Sequence, residues 1–292
     1  MDLKAYLNKY QSFLDEALLS SFASDAVPAR LREAMNYSLK AGGKRVRPVL
    51  AFATAEALGA APQKVLPLAV ALEMIHTFSL IHDDLPAMDD DDLRRGKPTN
   101  HKVFGEATAI LAGDALLAEA FFVLTQLEGV EPRCIVEVVH DVAVASGARG
   151  MTGGQQLDLD ATGKVNSTAE LEQIHRFKTG ALLQVPVTAS AKLCGASTQE
   201  LAKLTNYGAA VGLAFQIADD VLDVTGTIEE IGKDVGSDRD NHKSTYVDLL
   251  GIDGAKAKAK SLVQEALLAI QGFDAKADGL RALARYIIER KG

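Results

Sequence analysis

Apolar residues recur along most of this chain at the three- and four-residue spacing of amphipathic helices. Pro28 opens one such stretch, which stops at the pair Gly42-Gly43. The stretch 63–85 predicts one long helix, and Pro86 should end it. Further helices are predicted at 48–59, 103–127, 131–148, 168–193, 197–224 and twice more near the C-terminus. Strand-type alternation is missing, so the pattern predicts an all-α fold.

Composition agrees with a helical core. The chain has 292 residues, of which 48% are hydrophobic and only 5% aromatic, and it has no tryptophan. We see no internal repeat and no low-complexity linker, which predicts a single domain over 1–292. The formal charge of −8 and the lack of a basic face argue against nucleic-acid binding.

Location and redox state are predicted by what the sequence lacks. Cys134 and Cys194 have no pairing or metal-ligand spacing and are expected to be small buried hydrophobes in a reducing compartment. The first residues fit neither a secretory signal nor a transit peptide. Without an uncharged apolar run of membrane-spanning length, we expect no membrane span and a cytoplasmic protein.

An acidic cluster lies in "LIHDDLPAMDDDDLRRGKPT", residues 80–99. Asp83 and Asp84 occupy the last turn of the 63–85 helix, and the turn that follows can bring Asp89 back toward them. A helix C-terminus disfavours carboxylates that have no cation nearby. An exposed acidic loop is the simpler interpretation of such a run.

A second cluster, in "FQIADDVLDVTG", changes that weighting. Asp219 and Asp223 lie about 40° apart on one helix face, and Asp220 lies about 60° from Asp223. Two carboxylate groups, each embedded in apolar helix, require neutralising cations. The residues near them are neither Cys/His groups of zinc type nor an EF-hand loop, so Mg²⁺ or Ca²⁺ would suit these oxygen ligands.

Basic residues occur at several places along the chain, and Arg94 and Arg95 follow the first acidic cluster directly. His76 adds to them, because it lies within about 20° of the Asp83 face. Gln155 and Asp158 follow glycines that we expect to lie between helices. The basic and polar candidates are Lys44, Arg45, Arg47, Arg94, Arg95, Lys178, Thr179, Lys233 and Lys243. Together with the acids they predict a site for two phosphorylated ligands, one held through metal and one by direct cationic contacts.

Several common catalytic motifs are missing: a Walker A loop, a nucleophile elbow and a dinucleotide fingerprint. The chemistry therefore needs metal and cations rather than a protein nucleophile. Metal-assisted departure of diphosphate fits this set, because the ions stabilise the charge of the leaving group.

These motifs identify a family resemblance over nearly the whole length. The chain resembles trans-prenyl diphosphate synthases, and most closely the bacterial type of farnesyl diphosphate synthase, in the following stretches: "GGKRVRP", "LIHDDLPAMDDDDLRRGKPT", "GGQQLDL", "FKTGAL" and "FQIADDVLDVTG". The resemblance implies a single orthogonal helical bundle of the isoprenoid synthase type with a central active-site cavity, working as a homodimer. It also implies a condensation of isopentenyl diphosphate with an allylic diphosphate (dimethylallyl or geranyl).

The resemblance also implies roles for individual residues. Three Mg²⁺ ions, for which Mn²⁺ could substitute, would be held on the allylic diphosphate by Asp83, Asp84, Asp89 and Asp219, with Asp220 and Asp223 in support. The allylic substrate would contact Arg94, Lys178, Thr179, Gln216, Lys233 and Lys243. Isopentenyl diphosphate would bind Lys44, Arg47, His76 and Arg95.

The diphosphate of the allylic substrate would leave first, and the resulting allylic cation would be attacked by the double bond of isopentenyl diphosphate. A proton would then be lost to the departing diphosphate. A basic C-terminus closes the site in some relatives, and the spacing leaves open whether Arg290 does so here.

In this family the residues four and five positions before the first motif form the floor of the hydrophobic tunnel. They are Ser79 and Phe78 here, and Phe78 lies about 7.5 Å below Asp83 along the helix axis. A bulky ring there predicts mainly a C15 product, whereas the small Ser79 and Thr77 keep a C20 product open. Phe78 could instead pack only in the core, since it is 140° from Asp83 around the helix.

Other functions explain fewer of these residues. A terpene cyclase would not need a second diphosphate site, and its second motif normally mixes Asn, Ser and Glu. A non-catalytic regulatory relative usually loses one aspartate cluster, and both are intact here. A calcium-binding or acidic interaction module would leave the ordered basic positions unused.

Overall fold

The computed structural model describes residues 1–22, 26–164, 167–226 and 244–289. These ranges are mostly helical, with one antiparallel pair of two-residue strands, β1 (Leu93–Arg94) and β2 (Lys97–Pro98). Their α-helices are α1 (Leu3–Ser21), α2 (Ala29–Leu39), α3 (Val46–Ala57), α4 (Leu66–Asp83), α5 (Asn100–Phe104), α6 (Glu106–Thr125), α7 (Pro132–Ser146), α8 (Met151–Ala161), α9 (Thr168–His175), α10 (Ala181–Leu193), α11 (Thr198–Thr225), α12 (Tyr246–Ala269) and α13 (Asp278–Glu289). The all-α prediction is confirmed.

The helix boundaries depart from the sequence pattern in informative ways. The predicted 63–85 helix begins with a 3₁₀ turn at Pro62–Val65 and ends at Asp83, with Asp84 as its C-cap. The predicted 168–193 helix is α9 and α10 joined by the π-helical turn Arg176–Gly180. A π turn keeps the apolar pattern running while it changes which side chains face each neighbour.

Two predictions about where helices are interrupted differ from the structure. The stretch that begins "MTGGQQLDLD" was expected to lie between helices, and it is helix α8. The predicted 103–127 helix is interrupted at Gly105, where φ is +85°. A glycine tolerates that left-handed backbone without steric cost, so the chain can change direction there.

Helix α4 lies at the centre of the described structure and packs against α1, α2, α3, α6 and α10. Its buried face includes Leu68, Leu72 and Ile75, which are fully enclosed. Helix α10 contacts both α4 and α11, and α11 also packs against α12 and α13. Helices α4 and α11, whose last turns carry the two aspartate clusters, are therefore both in contact with α10.

Two helical segments are long and apolar enough to cross a membrane by length and composition: Pro62–Asp83 and Glu106–Thr125. The first is the central core helix with its leading turn. The apolar window of the second is only 33% buried, and Leu111 and Phe122 are 59% and 58% exposed on it. Helix α6 therefore presents an apolar outer face that no part of the described chain covers.

Arg45 corrects one sequence-based assignment, because it is a core residue and does not face a ligand site. Its guanidinium is buried and contacts Glu73 at 2.6 Å and Asp15 at 3.1 Å, and it also donates to the Leu39 carbonyl at 2.6 Å. Arg45 adopts a left-handed φ of +50°, which turns the chain into α3. The Arg45 guanidinium therefore contacts residues of α1, α2 and α4.

Replacing Arg45 by alanine should lower the free energy of unfolding by roughly 3–5 kcal/mol, because Glu73 would remain charged and buried without its partner. Urea denaturation measures this. The matched control is Lys9→Ala, which removes an exposed ion pair to Glu56 and should cost less than about 1 kcal/mol. The double variant Arg45→Met/Glu73→Leu should recover most of the loss. Equal effects of Arg45→Ala and Lys9→Ala would contradict the assignment.

Candidate active site

The first aspartate cluster forms where α4 ends. Asp83 is the last residue of the helix, and the chain then reverses so that the Asp89 amide donates to the Asp83 carbonyl at 2.9 Å. The turn predicted from Pro86 is therefore present, and it brings the backbone of Asp89 next to that of Asp83. Asp84 is buried, whereas Asp89 is exposed.

Arg94 explains the abrupt change of sign in this stretch. Its guanidinium contacts the Asp84 carboxylate at 2.5 Å and Asp91 at 3.0 Å from strand β1. Burial nevertheless raises the pKa of Asp84 to about 6, because this loss of solvation outweighs the attraction of Arg94. A further cation beside the carboxylate would be stabilising, which is what a metal-binding role requires.

The glycine pair before α3 brings two basic stretches together. The Arg95 side chain donates to the Gly42 carbonyl, and a Cβ at Gly43 would lie 2.6 Å from the Arg95 guanidinium. Gly43 also has a φ of +129°, so a larger residue would be strained as well as crowded. Arg95 thereby approaches the segment that carries Lys44, which is half-buried.

Arg47 connects this basic region to the second aspartate cluster. Loss of solvation lowers the Arg47 pKa to about 10, although the charges of Glu73 and Asp219 oppose the shift. The positive charge of Arg95 lowers the Arg47 pKa further. Asp219, Arg47 and Arg95 therefore share one electrostatic neighbourhood, although α11 and α3 come from distant parts of the chain.

His76 belongs to the same neighbourhood. Burial lowers its pKa well below the usual value, and the charges of Arg47, Arg95 and Arg94 lower it further. The imidazole is therefore neutral at pH 7 and can act as a hydrogen-bonding group rather than as a cation.

The second cluster ends α11. Asp220 and Asp223 are buried, and Asp219 is half-buried beside them. The Asp220 carboxylate accepts hydrogen bonds from Gln216 and from the backbone of Tyr246. Asp219 and Asp220 are neighbours in sequence, yet the apolar helix gives them different surroundings.

The π turn between α9 and α10 positions Lys178 and Thr179. The Lys178 ammonium contacts the Asp158 carboxylate at 2.6 Å, and the Thr179 hydroxyl donates to Gln216 at 2.7 Å. Helix α8 approaches this turn closely, since a Cβ at Gly154 would lie 2.5 Å from the Lys178 Cα. The "GGQQLD" glycines thus permit contact between backbones.

The donor set suits Mg²⁺. The ligands available are carboxylate oxygens, which this ion prefers, and the buried Asp84 lacks full neutralisation. In the described ranges, however, no group of three or more His, Cys, Asp or Glu side chains could enclose a metal ion by itself. Mg²⁺ commonly binds through one or two carboxylates and completes its shell with water and phosphate, so the residues fit a metal shared with a substrate.

Phe78 and Ser79 lie on α4 below the first cluster, and both are half-buried. The Phe78 ring makes an edge contact with His82 at 5.0 Å between ring centroids. His82 Nε2 in turn lies 3.1 Å from the Ile110 carbonyl of α6, and a Cβ at Gly113 would lie 2.5 Å from the His82 ring. Phe78 is therefore braced through His82 against α6.

Two cavities border these elements. A small one of about 30 Å³ lies beside the first cluster, and Asp84, Arg94 and Arg95 line it. A groove of about 480 Å³ runs between α7, α10 and α11, and no predicted site residue lines it. Of its cations, Lys192 contacts Asp141 and Arg176 contacts Glu172, and Arg149 also lines the groove.

Sequence reasoning overlooked some neighbours and made some predictions that the structure does not describe. Lys233, Lys243 and Arg290 lie outside the described residues. Glu73 and His175, which contact predicted site residues or their neighbours, were missed. His175 gave one signal, since it lies three residues before Lys178 on the same helical stretch.

Comparison with known proteins agrees with the predicted resemblance. The polyprenyl synthetase family pattern matches residues 28–284. A farnesyl diphosphate synthase from Geobacillus stearothermophilus is 46% identical over 99% of this chain and 98% of its own length. A geranylgeranyl diphosphate synthase from Cyanophora paradoxa is also 46% identical, over 99% of this chain and 97% of its own. The structure of an FPP/GFPP synthase from Zymomonas mobilis matches with a TM-score of 0.87 and 37% identity, covering 98% of this chain and 99% of that one. With a match of this extent in sequence and in fold, the chain belongs to the polyprenyl synthetase family.

Proposed function

We propose that this protein is a Mg²⁺-dependent prenyltransferase that condenses isopentenyl diphosphate with dimethylallyl or geranyl diphosphate and releases mainly farnesyl diphosphate. The observation that carries the proposal is the position of Arg47, whose pKa is affected by the charges of both Asp219 and Arg95. Arg94 beside the first carboxylate cluster and Arg47 near Asp219 of the second would suit two diphosphates at once. Relatives named for this activity, at 46% identity over nearly the full chain, support it.

The allylic diphosphate would lie between the two clusters. Bound Mg²⁺ would supply a Lewis acid that stabilises the charge developing on the leaving group. The residues that would hold three such ions, or Mn²⁺ in their place, are Asp83, Asp84, Asp89, Asp219 and Asp223. Arg94, Lys178, Thr179 and Gln216 would contact the same diphosphate. Lys178 and Arg94 are already paired with carboxylates, so each would exchange one anionic partner for another on binding.

Isopentenyl diphosphate would bind on the basic side of the site. Lys44, Arg47 and Arg95 would contact its phosphates, with Arg95 held in place by the glycine pair. The neutral His76 would add a hydrogen bond without adding charge. This arrangement would hold the double bond of the second substrate against the allylic carbon when the first diphosphate leaves.

Geranylgeranyl diphosphate is the second candidate product. The Cyanophora relative that is named for it is as similar to this chain as the farnesyl enzyme. Farnesyl is favoured here because the Phe78 ring is braced by His82, so that it would resist displacement by a longer chain. The small Ser79 beside it donates to the His76 carbonyl at 2.9 Å and does not fill the same space.

The purified protein should incorporate labelled isopentenyl diphosphate into a longer allylic diphosphate when Mg²⁺ and a C5 or C10 starter are present. The variant Asp219→Asn should lower kcat by roughly 10²–10³-fold, because several kcal/mol of charge stabilisation are lost. Asp92→Asn is the matched control, since Asp92 is an exposed member of the first acidic run and pairs with Lys102. Absence of incorporation by the wild type would exclude the function, and conversion of a C15 diphosphate to hydrocarbon would indicate a cyclase.

Replacing Phe78 by alanine should shift the products toward C20 or longer, because the ring that blocks the growing chain is removed. Chromatography of the dephosphorylated products measures the shift. Phe273→Ala is a control for the loss of a half-buried aromatic ring distant in sequence from both clusters, and it should leave the product length unchanged. An unchanged product length in Phe78→Ala would remove Phe78 from this role.

We also infer that the protein is a homodimer in which α6 faces the partner. The exposed apolar side chains of α6, together with Val136 of α7, form a surface that a second copy of the chain would cover. Covering this face would keep the protein soluble in the cytoplasm, as the sequence predicts.

Light scattering should therefore give about twice the 31.0 kDa chain mass for the wild type, and about one chain mass for Leu111→Lys/Phe122→Lys. Charges in an apolar interface are costly, so the dimer should dissociate. The control Leu268→Lys changes a leucine that is 61% exposed on α12 and should stay dimeric. A wild type of single-chain mass, or one that binds neutral lipid vesicles through α6, would overturn this assignment.

A further inference from the structure

Asp220 is a buried carboxylate of the second cluster that meets several hydrogen-bond donors. It is only 2% exposed, and its Oδ2 atom lies 2.9 Å from the Tyr246 amide and 3.1 Å from His175 Nε2. Its Oδ1 atom accepts from Gln216 Nε2 at 3.3 Å. Three donors from three parts of the chain therefore converge on one buried carboxylate.

An ionised carboxylate can only accept hydrogen bonds, and this fixes the chemistry of its neighbours. His175 must carry a proton on Nε2, whichever charge state it has. Gln216 must turn its NH₂ group toward Asp220, so its Oε1 atom faces the Thr179 hydroxyl, which donates at 2.7 Å. The carboxylate thereby sets the orientation of an amide that lies one turn away on α11.

Tyr246 and His175, which donate to Asp220, are themselves buried and make further contacts. Tyr246 is fully buried, its ring lies 5.5 Å from that of His175, and its hydroxyl donates to Glu172 at 3.4 Å. Tyr246 is also the first residue of α12. His175 is itself buried and immediately precedes the π turn that carries Lys178. The network joins α9, α11, α12 and the π turn at one point.

We propose that Asp220 is a positioning residue rather than a magnesium ligand, and that His175 is the side chain that holds it in that role. Through Asp220, His175 and the start of α12 orient Gln216, and Gln216 orients Thr179 toward the allylic substrate. The adjacent Asp219 would bind metal. This inference rests on the proposed prenyltransferase function only for its effect on substrate binding, because the network itself consists of contacts within the chain.

The first test is thermal unfolding in EDTA, where a metal ligand has nothing to bind. Asp220→Asn and His175→Leu should each lower Tm by roughly 3–8 °C, because each removes a buried hydrogen bond to a charged group. Their effects should be non-additive in the double variant, since both break the same contact. His175→Gln, which keeps an N–H donor, should recover at least half of the loss.

The matched control is Arg176→Gln at the next position, whose exposed i,i+4 pair with Glu172 should contribute about 1 °C or less. The second test is the Mg²⁺ concentration that gives half-maximal activity. It should rise at least tenfold in Asp219→Asn but stay within about threefold of the wild type in Asp220→Asn and His175→Leu. In the latter two, KM for the allylic diphosphate should rise instead, because Gln216 and Thr179 lose their orientation.

A wild-type Tm for Asp220→Asn in EDTA, together with a tenfold higher Mg²⁺ requirement, would overturn the proposal and make Asp220 a ligand. Additive effects of the two substitutions on Tm would also overturn it. If Asp220→Asn does not fold, His175→Leu and His175→Gln test the same contact. If the wild type has no activity, the proposed function fails, while the unfolding experiments still decide the role of the pair.

Discussion

Carboxylates can lie inside an apolar helical bundle only where cations or several donors neutralise them. Among the pairs that meet this requirement in the described residues are Arg45 with Glu73, Arg94 with Asp84, and Lys178 with Asp158. Each pair joins segments that are separated along the chain, so the arrangement of helices depends on these contacts as well as on apolar packing. The Arg45 pair is almost completely enclosed and stabilises the core. The other two pairs are partly exposed and lie where a ligand could reach them.

This difference in burial separates structural charges from functional ones. A basic residue in a fully buried ion pair cannot change its anionic partner without a large desolvation cost. A basic residue that is partly exposed can replace a carboxylate by a phosphate at a smaller net cost. In the proposed function, Arg94 and Lys178 would make such an exchange, and the Asp84 carboxylate would become available to metal. The charges of the site are thus kept in place by one another, which would reduce the rearrangement that substrate binding requires.

Backbone geometry places these charges as much as side-chain choice does. Arg45 and Arg95 both have positive φ, and the Gly42-Gly43 pair receives the Arg95 guanidinium. The π turn redirects Lys178 and Thr179 between two otherwise regular helices. Such irregular conformations are frequent at functional sites, where they direct side chains to positions that a regular helix would not give them. The Asp220 network follows the same logic, since one buried acceptor orients groups from three helices.

The sequence alone determined the all-α class, the position of most helices, and both aspartate clusters with the basic residues that follow them. These features depend on spacing within a few turns, so helical periodicity and turn-forming residues report them directly. Only the tertiary structure decided which charge meets which. It assigned Arg45 to the core, made a helix of the glycine-rich "MTGGQQLDLD" stretch, inserted the π turn, and brought His175 to Asp220 across 45 positions. Such contacts depend on how apolar faces pack against one another, and the helical pattern of an isolated segment carries no record of the partner it will meet.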